Sequence, residues 1–187
     1  RILAVGQVRF AGEEVAAVAA VDEETARDAL DLIQVDYEEL PALLDVDDAL
    51  AQGAAGTLEV HAGTKNIGHE MRIERGDIAA GFAGAAAVYE ATYTVHSQYP
   101  GYLEPMATVA STDGNGRLTV WASTQSVFLA RARLAEALDR PVSDIRVIQA
   151  VTGGGFGGKI VEDSNSLIAA LLAVKSGQPV RLVNNRL

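Results

Sequence analysis

The sequence predicts a mixed α/β protein, and three observations carry that prediction. From residue 107 to residue 183, apolar runs follow the order hairpin, helix, strand, glycine loop, helix, strand. Asp113-Gly114-Asn115-Gly116 supplies a tight turn for the hairpin, because Gly and Asn tolerate positive φ. An earlier strand–helix–strand pattern runs from Glu14 to Tyr37.

Glu14–Val21 is small and apolar, and reads as a buried strand through Val15, Val18 and Val21. Asp22 is placed to cap a helix whose first turn holds Glu23 and Glu24, where the helix dipole favours negative charge. Ala26, Ala29, Leu30 and Ile33 then recur at helical spacing. Val35–Tyr37 resumes a strand that Pro41 stops, and a short helix over Val46–Gln52 ends at Gly53. From Gly53 to Gly84 the pattern weakens. Thr57–Gly68 reads as an irregular connection between two domains, with a long loop inside one domain as the alternative, and Arg75-Gly76-Asp77 as a turn. Ala87–Ser97 alternates with a period of two and predicts a half-buried strand. Ala107–Thr112 and Arg117–Ala122 make the hairpin. A helix over Phe128–Leu138 follows, with Phe128, Leu129, Ala132, Ala135 and Leu138 on one side. Ile145–Val151 is a strand, Asp163–Lys175 an apolar helix and Val180–Val183 a closing strand. Trp121 reads as core.

Composition narrows the function classes. The 187 residues are 49% hydrophobic, with 15 basic and 25 acidic side chains and a net charge of −10. That balance argues against nucleic acid, where affinity rests on Lys and Arg neutralising phosphates. The longest apolar runs, Val15–Val21 and Leu167–Val174, fall short of the roughly 20 residues a spanning helix needs, so no membrane insertion is expected and a cytoplasmic location is. No cysteine is present, so the chain has no disulfide, thiolate nucleophile or cysteine-held cluster of its own. His61, His69 and His96 lack metal spacing and read as structural or exposed. A start at Arg1, with no signal-type segment after it, predicts an internal piece of a longer chain.

Most of the chemical information lies in Thr152-Gly153-Gly154-Gly155-Phe156-Gly157-Gly158-Lys159. Five glycines in six positions cost backbone entropy, so they serve close approach, positive φ or both. A ligand-free strand-to-helix turn needs only one or two. Gly153 and Gly158-Lys159 imitate a phosphate loop, but Ile160 stands where a magnesium-binding Ser or Thr belongs, so an NTPase ranks low. Gly153, Gly155 and Gly158 also fit a dinucleotide fingerprint, yet Gly177-Gln178-Pro179-Val180-Arg181 offers no carboxylate for a ribose. A nicotinamide dehydrogenase is therefore a runner-up.

GGGFGGK, some 30 residues after Ser123-Thr124-Gln125, resembles the molybdenum hydroxylase family of xanthine dehydrogenases and aldehyde oxidases. Further blocks occur in that family's order: Gly12–Val18, Ala26–Ala29, Val35–Pro41, Gly76-Asp77-Ile78 with Phe82-Ala83, Gln98 to Leu103-Glu104-Pro105, Val120–Gln125 and Gly177–Arg181. The resemblance implies a hammerhead-like α/β domain over residues 1–68, a linker over 69–84 and part of a first molybdenum-cofactor-binding domain over 85–187.

Members hydroxylate an aldehyde or an electron-poor aromatic carbon with water at a molybdenum–pterin centre, and some relatives oxidise carbon monoxide or reduce an aromatic thioester. The resemblance implies molybdopterin, with its cytosine dinucleotide form among the alternatives, and [2Fe–2S] clusters and FAD on partner chains or domains. The implied partners are the rest of the molybdenum subunit, an iron–sulfur subunit, an FAD subunit and a small-molecule substrate. Gln125 is expected to donate a neutral hydrogen bond to an oxygen ligand of molybdenum, against a rival role as a polar residue at a helix start. Phe156 and Gly157 are expected to present backbone to the centre, with Gly155 and Gly158 allowing the approach; Phe156 is alternatively a hydrophobic plug. Glu104 is either a substrate-side carboxylate or a partner for backbone amides. Lys159 reads as a solvated lysine at a helix start more readily than as an anchor for an anionic cofactor group.

Two departures from the family pattern stand out. Pro100 replaces a common histidine, and substrate-side Ile160 replaces the glutamate of purine-specific relatives, which implies a substrate that is not a purine. No direct metal ligand and no catalytic residue is expected on this chain, since the family's general-base glutamate falls downstream of Leu187. The chain alone is expected to be inactive. The alternative from a different class is a catalytically silent scaffold or assembly module.

Overall fold

The computed structural model describes residues 2–160 and 164–185. Chain contacts divide it into two units, one of residues 1–35 with 97–187 and one of residues 36–96.

The first unit contains a four-stranded mixed sheet. Strands β1 (Ala107–Thr112) and β2 (Leu118–Ala122) form the antiparallel hairpin, β3 (Ile145–Gln149) lies parallel to β2, and β4 (Val180–Val183) pairs antiparallel with β1. The order is β3-β2-β1-β4. The hairpin turn forms as its residues dictate: Asp113 Oδ1 accepts from the N–H groups of Asn115 and Arg117, and Gly116 takes φ +79°.

Period two decides which side chains go inside. Ala110, Leu118, Val120, Ala122 and Ile145 point to one face and form a core with Leu134 and Ala135 of α4 and Ala169, Ala170 and Ala173 of α5. Here α4 is Val127–Leu138 and α5 is Ser164–Ser176. The three alanines of α5 let that helix lie close on β1. Trp121 sits between Val120 and Ala122 and so points to the opposite face, where it is 39% exposed; the expectation that it is core is corrected by strand parity. The buried residues of α4 are Ala130, Leu134 and Ala135, and Phe128, expected on the inner face, is exposed. The expected start of α5 at Asp163 lies outside the described residues.

The same unit holds α1 (Glu23–Asp31), capped by Asp22, whose carboxylate accepts from the N–H of Thr25 at 2.8 Å. The strands expected over Glu14–Val21 and Val35–Tyr37 are absent. Glu14 offers its carbonyl to Ala4 at 2.8 Å, but no ladder forms and Val21 is exposed. Apolar character alone does not make a strand when no partner satisfies its backbone.

The second unit carries α2 (Val46–Ala55) and α3 (Ile78–Ala83). Helix α2 does not stop at Gly53. It continues to Gly56, which caps it at φ +68°, while Gly53 is needed because a Cβ there would lie 2.1 Å from the Lys65 carbonyl oxygen. Asn66 ties the irregular stretch together, donating to the carbonyls of Ala49 and Leu58 and accepting from the N–H of Val60. Helix α3, absent from the sequence expectation, starts at Asp77, which caps it through the N–H of Ala80. Ala87–Ser97 is not a strand: Tyr89, Tyr93 and Val95 are all about nine-tenths exposed or more, and no strand among the described residues pairs with the segment. No described helix is long and apolar enough to cross a membrane.

Candidate functional site

Three chain segments reach one end of the sheet for topological reasons. In the parallel pair, Ala122 lies opposite Gln149, so β2 and β3 end side by side. The chain after β2 is Ser123-Thr124-Gln125, and the chain after β3 is the glycine loop. Strand β1 runs the other way, with Thr108 opposite Ala122, so the Tyr102–Pro105 segment ahead of it enters at the same end. Carboxyl ends of parallel strands are where open α/β sheets place ligands.

Gln125 docks the loop. Its backbone N–H donates to the Lys159 carbonyl at 2.8 Å, and its Oε1 accepts from the N–H groups of Gly157 at 3.1 Å and Lys159 at 3.2 Å. Two N–H donors on one end of an amide require that end to be the oxygen. Nε2 is therefore left as a donor on an exposed residue, and no described residue accepts from it. Thr124 Oγ1 adds a bond to the same Lys159 carbonyl at 3.2 Å.

The five glycines divide between the two causes that the sequence offered. A Cβ on Gly153 would lie 2.7 Å from Glu104 Cβ, one on Gly155 2.4 Å from Gln125 Oε1, and one on Gly158 2.8 Å from the Tyr102 ring and 2.9 Å from Pro100. Gly154 and Gly157 instead take φ of +88° and +91°. Phe156 also lies in the left-handed region, at φ +50°, a conformation costing a non-glycine residue roughly 1–2 kcal/mol. It is 75% exposed and so does not plug the loop against the core. The N–H of Phe156 has no acceptor among the described residues.

Beneath the loop lies a charged pair. Lys159, expected to be solvated, is 1% exposed; its Nζ reaches Glu104 Oε2 at 2.7 Å and sits 4.6 Å from the centre of the Tyr102 ring. Lysine is tolerated there because the carboxylate and ring replace the water it loses. The same Glu104 oxygen accepts from the Gly153 N–H at 2.9 Å. These donations, from Lys159 first and Gly153 second, hold the Glu104 carboxyl below its ordinary value. Burial, reinforced by Tyr99, raises the Tyr102 phenol and keeps it neutral. The pair neutralises its own charge, and Phe156 and Gly157 carry none.

Ile160 stands apart from this cluster. It lines a cavity of about 330 Å³ with Ile2, Phe10, Ala130, Arg133 and Leu167. His61, His69 and His96 are exposed, and no group of three metal-ligating side chains occurs among the described residues. Sequence reasoning missed Tyr102 and the Glu104–Lys159 pairing. The one available signal was that two opposite charges each stand beside a recognised block.

The family model described as the molybdopterin cofactor-binding domain matches residues 60–187, and the aldehyde oxidase and xanthine dehydrogenase a/b hammerhead domain matches residues 1–41. A probable xanthine dehydrogenase subunit of Bacillus subtilis is 38% identical over 185 residues, covering 99% of this chain and 24% of the relative. The nicotinate dehydrogenase large molybdopterin subunit of Eubacterium barkeri is 38% identical over 180 residues, covering 96% and 41%. The crystal structure of the aldehyde oxidoreductase from Desulfovibrio desulfuricans superposes with a TM-score of 0.85 at 25% identity, covering 98% of this chain and 20% of that one. The chain thus spans about a quarter to two fifths of the length of the two curated relatives.

Proposed function

We propose, for a chain that belongs to the family of molybdopterin cofactor-binding domains, that the Gln125 amide and the Phe156–Gly157 backbone hold a molybdenum–pterin cofactor within a larger oxidoreductase. The observation that carries the reading is the fixed orientation of Gln125. Its oxygen is engaged by two loop N–H groups, so Nε2 is a pre-oriented neutral donor. The packing of Gly153, Gly155 and Gly158 is accounted for by the chain's own side chains and needs no ligand. What internal packing leaves unexplained is the left-handed Phe156, the Nε2 donor, and Gly157, around whose missing Cβ there is open space. An oxygen-rich cofactor that must come close to backbone fits that surface.

When bound, such a centre supplies two-electron redox chemistry with water as the oxygen source. The contribution of this chain is to orient. Gln125 donates without adding a charge, Phe156 offers a second N–H, and Gly157 leaves the space in which a group can approach the backbone. No described side chain here is placed as a general base, so the proton acceptor belongs elsewhere in the assembly. Iron–sulfur and FAD carriers on partner chains complete the electron path in this reading.

An aldehyde or an N-heteroaromatic compound is the substrate class in this reading; Ile160, which lines a different cavity, does not choose between them. The test is Gln125→Ala in the full-length assembly. We expect molybdenum to be retained and turnover to fall by about 10–10²-fold; unchanged turnover contradicts the assignment.

A further inference from the structure

Lys159 is joined to two chain segments at once. Its side chain is bound to Glu104, ahead of β1, while its backbone N–H and carbonyl are bound to Gln125, after β2. Glu104 in turn holds both ends of the loop through one oxygen, which takes the Lys159 ammonium at 2.7 Å and the Gly153 N–H at 2.9 Å. The ammonium is fully buried between this carboxylate and the Tyr102 ring. A buried ammonium that loses its carboxylate must shed its proton or move. Moving Lys159 moves the N–H that fixes Gln125 Oε1.

We propose that the Glu104–Lys159 pair is a positioning device, which sets where the Gln125 Nε2 donor points by clamping the loop to which Gln125 is docked. This deepens the reading above and rests on it. Glu104 and Lys159 act through Gln125 and need touch neither cofactor nor substrate. The pair and the amide therefore form one mechanical unit, and damage to any member has the same signature.

The test uses the full-length, cofactor-loaded assembly with Glu104→Gln, Lys159→Met, the double variant and Gln125→Ala as reference. The readouts are molybdenum content, kcat and KM separately, and the electron paramagnetic resonance spectrum of partly reduced molybdenum. We expect Glu104→Gln and Lys159→Met to alter the same spectral features as Gln125→Ala. Each should lower kcat about tenfold with little change in KM, and the double variant should be no worse than the worse single. If a single variant fails to assemble, the double variant, which leaves no lone buried charge, carries the same comparison. Spectra that match wild type in the pair variants while Gln125→Ala shifts the signal overturn the positioning role and leave the cofactor reading standing. A wild-type spectrum in Gln125→Ala overturns both.

Discussion

Two glycine-rich turns in this molecule use the same residue for different work. In Asp113–Gly116 the constraint is local: one aspartate bonds its own turn, Gly116 supplies positive φ, and a Cβ on Gly114 or Gly116 would meet nothing within 4 Å. In Gly153–Lys159 the constraint comes from residues up to 55 positions away, with Glu104, Gln125 and Tyr102 filling the space that missing Cβ atoms leave. The first turn shapes the backbone and could be copied into any hairpin. The second makes room for specific partners, and so it fixes a donor at the end of the sheet.

That contrast can be broken most severely at Gly155. Gly155→Ala puts a methyl 2.4 Å from Gln125 Oε1, so the amide must leave its two loop donors. We expect loss of nearly all turnover and a stability cost of roughly 1–3 kcal/mol, as overpacking costs, read by assay and thermal unfolding of the assembly. Gly157→Ala separates strain from clash, since its φ is +91° but its surroundings are open. A loss of about 1 kcal/mol, smaller than that of Gly155→Ala, is expected in the same unfolding measurement.

The pH dependence of the loop follows from Glu104. Its folded pKa is depressed, so the stabilisation from the pair is complete above the ordinary glutamate value and is lost as pH falls through the lower folded value. Acid titration of stability should show this loss in wild type, while Glu104→Gln removes that part of the slope. Gly114→Ala stands at the other extreme and should change stability by no more than about 0.5 kcal/mol, with unaltered turnover.

The hairpin, the positions of the helices after it and the closing strand were legible because local signals agree there: the DGNG turn, the period-two runs and Val180–Val183 all sit where the residues predict them, although α4 buries Ala130, Leu134 and Ala135 in place of the face with Phe128. Glu14–Val21 and Ala87–Ser97 were not legible, although their patterns look equally strand-like. A pattern specifies a face, but a strand also needs a partner, and the described chain supplies none to either segment. The site was half legible. Gln125 and the loop stood out as motifs, and their contact depends on two adjacent parallel strands ending together. The burial of Lys159 was invisible, because a lysine following glycines reads as solvated until a carboxylate 55 residues earlier is folded beneath it.

Whether the loop and Gln125 face the metal can be decided by a crystal structure of the full-length protein, with anomalous scattering recorded at the molybdenum edge. We expect a molybdenum peak beside the loop, next to Gln125 and Phe156. A peak elsewhere in metal-loaded protein, with Nε2 facing only solvent, would remove this chain from the cofactor site.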